Sequence, residues 1–236
     1  MSKIHVKNRE LVLPGDLLAE GDIEVTSLLI YKYGSKYYST IIGLVNVENE
    51  NKVGIIPLEG PYIPKIGDVV IGLIVDLGIT NWLVDIRAPY IAILNASDAL
   101  NKPFNPIQDD LRNYYDVGDY IVAKVQSFDR VHNPTLTTKG KGLGKITSGK
   151  VIEIKPSRTP RVIGKRKSML NVLTSETECE VVVGANGRIW VHCPNEDLEE
   201  ILILAIKRIE QEAHTTGLTD KIREFIEEEK MKRGLK

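Results

Sequence analysis

Val162-Ile163-Gly164-Lys165-Arg166-Lys167-Ser168-Met169-Leu170 is the stretch on which the fold turns. An apolar pair leads into a glycine, a basic loop follows, and Met169, Leu170, Val172 and Leu173 then mark a short helix over residues 168 to 174. A helix N-terminus preceded by loop amides and lysines is a place where phosphate groups are held. The stretch ends a longer basic region. Between Thr137 and Lys167 ten Lys and Arg residues stand against one acid, Glu153, a net +9 in a chain whose total is −1, which leaves −10 on the rest. A positive stretch on an otherwise acidic molecule steers a polyanion to one place. Charge alone leaves open a solvated basic loop with no ligand, so the flanking segments decide.

Downstream, residues 179 to 183 and 188 to 193 read as a hairpin joined by Gly184-Ala185-Asn186-Gly187, where Asn-Gly is expected to supply the positive φ values of a tight turn. Leu198, Ile201, Leu202, Ala205 and Ile209 then recur at helical spacing behind a start signal at Pro194 or Asn195. A last helix over residues 219 to 232 carries Leu218, Ile222, Phe225 and Ile226 as its stripe, and Glu227-Glu228-Glu229 as a solvated face. With the strand Val151-Ile152-Glu153-Ile154 upstream, this order of strand, glycine loop, helix, hairpin and long helix predicts a KH-like α+β module over residues 144 to 213 and a C-terminal helical tail over 214 to 236. KH modules clamp a nucleic-acid backbone through a loop with two glycines. Lys167 stands where the second is usual, so side-chain grip on phosphate is expected to replace close backbone approach.

Upstream, Gly67-Asp68-Val69-Val70 and Gly118-Asp119-Tyr120-Ile121 each pair a Gly-Asp turn with an apolar strand, and residues 82 to 86 and 90 to 94 are short strands between them. Five short strands in so few residues predict a small closed barrel of the OB class over residues 65 to 143. Residues 1 to 64, rich in β-branched and tyrosine residues with Gly and Pro turns, read as an N-terminal β domain closed by Pro57, Pro61 and Pro64. The whole is multidomain and mainly β, with an α+β C-terminal part.

OB barrels stack bases on aromatics and track phosphates with cations. Trp82 and Tyr90, with Arg87, Lys124, Arg130 and Lys139, are therefore candidate RNA-binding residues, together with Arg161, Gly164, Lys165, Arg166 and Lys167 of the second module. Alternation sets Trp82 opposite Leu83 and Asp85. Trp82 is expected on the exposed face, although a solvated Asp85 argues for the core.

Catalysis finds no comparable support. Asp109-Asp110, Asp116 and Asp119 are the densest acidic cluster and could suggest a two-metal nuclease, but Asp119 belongs to a Gly-Asp turn with a twin at Asp68, and Asp109-Asp110 read as helix-starting acids. The four histidines, His5, His132, His192 and His214, are scattered, and no P-loop, nucleophile elbow or zinc-protease pattern occurs. Cys179 and Cys193 form no CxxC pair, and His192 beside Cys193 points to opposite strand faces, so no metal and no cofactor are expected. Lys3, His5, Lys7, Arg9 and Glu10 interrupt any leading apolar run, and no stretch approaches the ~20 residues of a membrane span, so a cytoplasmic protein is expected.

Leu13-Pro14-Gly15-Asp16-Leu17-Leu18-Ala19-Glu20-Gly21, the barrel ending in Lys139-Gly140-Lys141-Gly142-Leu143-Gly144, and the Gly184-Ala185-Asn186-Gly187 turn together resemble the RNA-binding cap subunit family of the archaeal exosome, ribosomal RNA processing protein 4. The resemblance runs over nearly the whole chain. It implies an S1-type barrel, an exosomal KH variant marked by the Gly-x-Asn-Gly turn, and a non-catalytic subunit. Three copies would sit on a hexameric ring of phosphorolytic, ribonuclease-PH-like subunits, binding single-stranded RNA and threading it into the 3'-to-5' exoribonuclease. Leu13, Pro14, Gly15 and Asp16 are expected at the ring-docking surface, since residues 1 to 64 carry six Lys/Arg against eight Asp/Glu and repel phosphate. The alternative reading is a standalone RNA-binding or translation-associated protein without a ring partner.

Overall fold

The computed structural model describes residues 2–27, 29–213, 215 and 217–235, so His214, one of the four histidines considered above, lies outside the described residues. The chain divides into two compact units, Met1–Gly60 and Pro61–Lys236.

The first unit is all β. Strands β1 (Lys3–Ile4), β2 (Leu11–Val12), β3 (Leu17–Glu20), β4 (Glu24–Val25), β5 (Ile30–Tyr33), β6 (Lys36–Ser39), β7 (Gly43–Asn49) and β8 (Lys52–Pro57) form two four-stranded sheets, ordered β1-β3-β6-β5 and β2-β7-β8-β4. Alternation along β2, β7 and β8 turns Val12, Val45, Val53 and Ile55 into a small core with Leu18 and Tyr37. The same alternation turns Leu11, Leu44 and Ile56 the other way. They stand directly opposite one another across β2, β7 and β8 and so share one face.

The second unit begins with the barrel: β9 (Val69–Leu77), β10 (Asn81–Asp85), β11 (Ile91–Asn95), helix α1 (Ala96–Ala99), β12 (Tyr120–Ser127), β13 (Thr135–Thr137) and β14 (Gly144–Lys145). Strand order is β13-β11-β10-β9-β12-β14, and a β12–β13 pairing closes the sheet on itself. The two Gly-Asp strands of the sequence are β9 and β12, antiparallel neighbours. Tyr62 is buried in this core and donates to Asp68 at 2.7 Å. Burial, then the Asp68 acceptor, pushes its phenol pKa up. Residues 61 to 64, read from the sequence as part of the first domain, thus fall within the second unit.

The remainder contains β15 (Lys150–Glu153), α2 (Thr159–Ile163), α3 (Ser168–Thr177), β16 (Glu180–Val183), β17 (Arg188–His192), α4 (Glu196–Gln211) and α5 (Leu218–Lys232). The sheet order is β15-β17-β16, all antiparallel. Ile189 and Val191 of the central strand meet Val162, Met169, Ile201, Leu202 and Ala205 in one core. Asn195 caps α4, accepting from the Leu198 N–H at 2.8 Å. Ile222 and Ile226 of α5 are fully buried in this same core, so the last helix is an integral part of the module. Cys179 and Cys193, weighed in sequence only as metal ligands, form a disulfide one step beyond the Glu180–His192 pair.

Candidate nucleic-acid interface

Trp82 does not face solvent. Its side chain is fully buried, its indole N–H donates to the Tyr115 carbonyl at 2.9 Å, and the two rings meet edge to face at 5.1 Å. The expectation of an exposed stacking ring is corrected here: Asp85 points out of the barrel, so strand alternation carries Trp82, three residues before it and on the opposite face, into the barrel. The indole N–H that would otherwise resist burial has a partner.

Arg87 is half-buried and engaged within the protein. Its guanidinium donates to the Ile154 carbonyl at 3.0 Å and pairs with Glu153 at 3.6 Å, joining the barrel to β15. It is one strand of a polar junction centred on the Gly184–Gly187 turn. Asn186 is fully buried, accepts from the Ile71 N–H at 3.2 Å, and donates to the carbonyls of Ile71 at 2.8 Å and Ile86 at 3.0 Å. Ala185 N–H donates to the Val69 carbonyl at 2.8 Å. Arg188, only 4% exposed, reaches the Asp85 carbonyl at 2.6 Å, pairs with the Asp85 carboxylate and holds Glu153 at 3.0 Å. Within the turn only Gly187 has positive φ, +80°, so Asn186 is placed for its side-chain bonds and not for its backbone freedom. A Cβ on Gly187 would stand 2.5 Å from the Ile154 carbonyl oxygen, and one on Gly184 2.5 Å from Asn186 Oδ1. Sequence reasoning missed Asn186 and Arg188. The available signal was an arginine inside an otherwise apolar strand, Arg188-Ile189-Trp190-Val191, where a charge without a partner would be costly.

Tyr90 remains a candidate. It is half-buried and stands edge to face with Phe128, 4.9 Å between centroids, beside the 128–134 loop that carries exposed Arg130. Asp129 orders that loop, accepting the backbone N–H of His132 at 2.8 Å, the His132 ring at 2.6 Å and the Val131 N–H at 3.0 Å. These bonds, the His132 amide first, hold its carboxyl down at a pKa of about 2. Lys124 is exposed on β12 opposite Thr137, two residues before exposed Lys139.

The basic stretch sorts itself by partner. Lys145 pairs with Asp119 and Lys150 with Glu199, so these cations serve the fold. Lys165, Arg166 and Lys167 are exposed and form no ion pair among the described residues. Gly164 has φ +74°, and a Cβ there would stand 2.6 Å from the Met169 amide nitrogen, so only glycine fits against the start of α3. Arg166 and Lys167 are also left-handed, φ +53° and +65°. Lys167 thus adopts the conformation that a second glycine would supply, and no side chain among the described residues caps α3. Arg161 lies exposed on α2 just before this loop.

Leu13-Pro14-Gly15-Asp16 forms a turn closed by the Leu13 N–H on the Asp16 carboxylate at 2.7 Å, with Leu13 51% exposed. The acids of the suspected metal cluster serve turns. Asp110 accepts from the Arg112 N–H at 2.9 Å, Asp109 from the Asn105 N–H at 3.0 Å, and Asp119 from the Asp116 N–H at 2.8 Å.

Three family profiles match consecutive parts of the chain: the exosome RNA binding protein RRP4 N-terminal domain over residues 9–59, the RRP4 S1 domain over 61–127 and a KH domain over 149–197. Exosome complex component Rrp4 of Ignisphaera aggregans is 49% identical over 240 residues, covering 98% of this chain and 95% of that protein. The protein of the same name from Sulfurisphaera tokodaii is 53% identical, covering 96% and 92%. A crystal structure of an exosome complex RNA-binding protein, 54% identical, aligns with a TM-score of 0.70 over 74% of this chain and 99% of its own.

Proposed function

The chain belongs to the Rrp4 family of exosome complex components, and from that premise we propose that it is the non-catalytic RNA-binding cap of an archaeal exosome, working in the cytoplasm. In this reading it docks on a hexameric phosphorolytic ring, recruits single-stranded RNA and threads it toward the 3'-to-5' exoribonuclease sites. Three copies per ring add avidity to individually weak RNA contacts.

The observation that carries the proposal is the division of exposed chemistry between the two units. In the first, Leu11 (56% exposed) and Ile56 (39%) share a face with Leu44, and Leu13 and Ile42 are exposed beside them in sequence. An apolar sheet face on an acidic unit suits a protein partner and repels phosphate. In the second, the Gly164–Lys167 loop and the Tyr90–Phe128 pair offer cations and an aromatic edge to a nucleotide chain. The chain itself binds, concentrates and orients RNA; bond cleavage is left to the ring.

Co-expression with ring subunits tests the reading. A Leu11→Glu, Leu13→Glu double variant should fold, bind RNA as before and fail to co-purify with the ring. A double variant that assembles normally, or a purified wild-type chain that releases nucleoside diphosphates from RNA in phosphate buffer, defeats the proposal. A wild-type chain that binds RNA but never joins a ring is the standalone RNA-binding protein of the alternative reading.

A further inference from the structure

The Cys179–Cys193 pair carries chemistry that neither RNA binding nor ring docking uses. The disulfide joins residues 14 positions apart and ties three elements together at one corner of the C-terminal module. Cys179 follows Glu178, the left-handed residue that ends α3, and leads into β16. Cys193 follows β17 and stands just before Pro194 and Asn195, the cap of α4. Helix α5 braces the same corner without covalent bonds. Lys230 donates to the Glu176 carbonyl at 3.1 Å, Arg223 pairs with Glu176 at 3.4 Å, and Arg233 holds Asp197 and Glu200 of α4 at 3.2 and 2.8 Å.

The two cysteines are unequally placed. Cys179 is 4% exposed and lies in the core of the module, while Cys193 is half-buried against it. An incoming thiolate therefore meets Cys193 first, since access decides which sulfur is attacked. Once released, the Cys179 thiol has a partner waiting: the Thr177 carbonyl oxygen stands 3.3 Å from its sulfur and can accept from the S–H. Neither cysteine can drift far. The β16–β17 ladder pairs Glu180 with His192 immediately inside the disulfide, and Asn186 bonds the other end of that hairpin into the barrel. Ladder and α5 contacts keep the two sulfurs neighbours even with the bond open.

We infer that Cys179–Cys193 is a redox latch on this corner, closed against monothiols and opened by dithiols. Opening is thiol–disulfide exchange. One thiolate of the dithiol attacks Cys193 Sγ to form a mixed disulfide, and Cys179 leaves as a thiolate that takes up a proton. The second thiol of the same molecule loses its proton, attacks the first and displaces Cys193, which is protonated in turn. Two electrons and two protons thus pass to the protein, and the dithiol ends as a cyclic disulfide. A monothiol reaches only the first stage, because Cys179, held beside Cys193, expels it before a second monothiol arrives. The inference rests on the proposed function only for its compartment, a cytoplasm in which thiols are kept reduced and such a latch can be worked.

The experiment uses the full chain, equilibrated with oxidised glutathione, freed of it, and alkylated with iodoacetamide before mass measurement. The folded protein should take up no alkyl group. Millimolar reduced glutathione should leave that unchanged, and dithiothreitol at the same thiol concentration should give two alkyl groups. Opening releases a loop constraint on the unfolded chain, so the melting temperature should fall by about 6–12 °C. Amide hydrogen exchange should quicken at residues 178–180 and 192–198 and stay slow at the Gly184–Gly187 end, and oxidised glutathione should restore both readings. A Cys179→Ala, Cys193→Ala double variant should melt with the reduced protein and ignore dithiothreitol; reduction of the wild type carries the test if that variant fails to fold. The latch is overturned if the equilibrated protein takes up alkyl groups or retains glutathione, or if glutathione and dithiothreitol open it equally. It is also overturned if neither opens it, or if opening leaves melting and exchange as they were. No RNA and no ring enter the experiment, so its failure leaves the proposed function standing, and a chain that never joins a ring leaves the latch standing.

Discussion

Two glycine loops in the same C-terminal module do opposite work. Gly184–Gly187 is buried and neutral. Every polar atom of Asn186 that points into the barrel finds a partner, and Arg188 beside it finds Asp85 and Glu153. Gly164–Lys167 is exposed and cationic. It keeps two non-glycine residues left-handed and leaves the amides of α3 without a side-chain cap. A loop whose polar groups are satisfied internally makes architecture. A loop that holds strain and unsatisfied groups at the surface is one where a ligand can supply what is missing.

Removing the first loop's central side chain should give the largest effect. Asn186→Ala leaves the Ile71 N–H and the Ile86 carbonyl without their side-chain partner at a buried junction, and the Ile71 carbonyl with the Arg188 guanidinium alone at 3.4 Å. With each orphaned group costing about 1–3 kcal/mol and some water able to enter, a net loss of about 3 kcal/mol is expected, read by chemical denaturation. RNA affinity of the folded protein should barely move. If instead Asn186→Ala weakens RNA binding and spares stability, the contrast between the loops is reversed.

Next in size is the second loop stripped of charge. A Lys165→Ala, Arg166→Ala, Lys167→Ala triple variant should keep its melting temperature, since no ion pair among the described residues is lost. Its RNA affinity should fall for all sequences alike, with the logarithmic salt dependence flattening by up to about 2 if three phosphate contacts go, at about 0.7 each. An unchanged slope would place the phosphate contacts elsewhere. Tyr90→Ala should cost about 1–3 kcal/mol in affinity if a base stacks on its ring, and leave the salt slope as it was. An effect on stability alone would make Tyr90 a packing partner of Phe128 and nothing more.

The first loop also shows where sequence reading reached its limit. Periodicity found the barrel, the hairpin and the long helix, because each buries a stripe whose period is set by local geometry. The Asn195 cap was legible for the same reason: its bond to Leu198 spans three residues. Asn186 and Arg188 make bonds to residues a hundred or more positions away, to Ile71, Ile86 and Asp85, and no local pattern encodes such a partner. Asn186-Gly187 therefore read as turn chemistry when the asparagine is a bridge. Trp82 failed for a related reason. Alternation gave two opposite faces but not which was inside, and the deciding fact, an acceptor at Tyr115, lies 33 residues on. The Gly164 loop was legible as charge and glycine; that Lys167 would tolerate the left-handed conformation was not, since it is fixed by packing of the loop onto α3.

That last residue gives the smallest and most discriminating test. Lys167→Gly removes a side chain from φ +65°, relieving about 1 kcal/mol of left-handed strain, partly offset by the greater freedom of glycine in the unfolded chain. Lys167→Ala loses the same charge and keeps the strain. Both variants should lose RNA affinity equally, by the share of one phosphate contact, while only the glycine variant gains stability, by about 0.5–1 kcal/mol. Equal losses would mean that the lysine acts through its charge and that the loop already has the shape a second glycine would give it. A glycine variant that binds RNA more tightly than the alanine variant would show the opposite: that backbone approach, hindered by a side chain at this position, limits the grip of the loop.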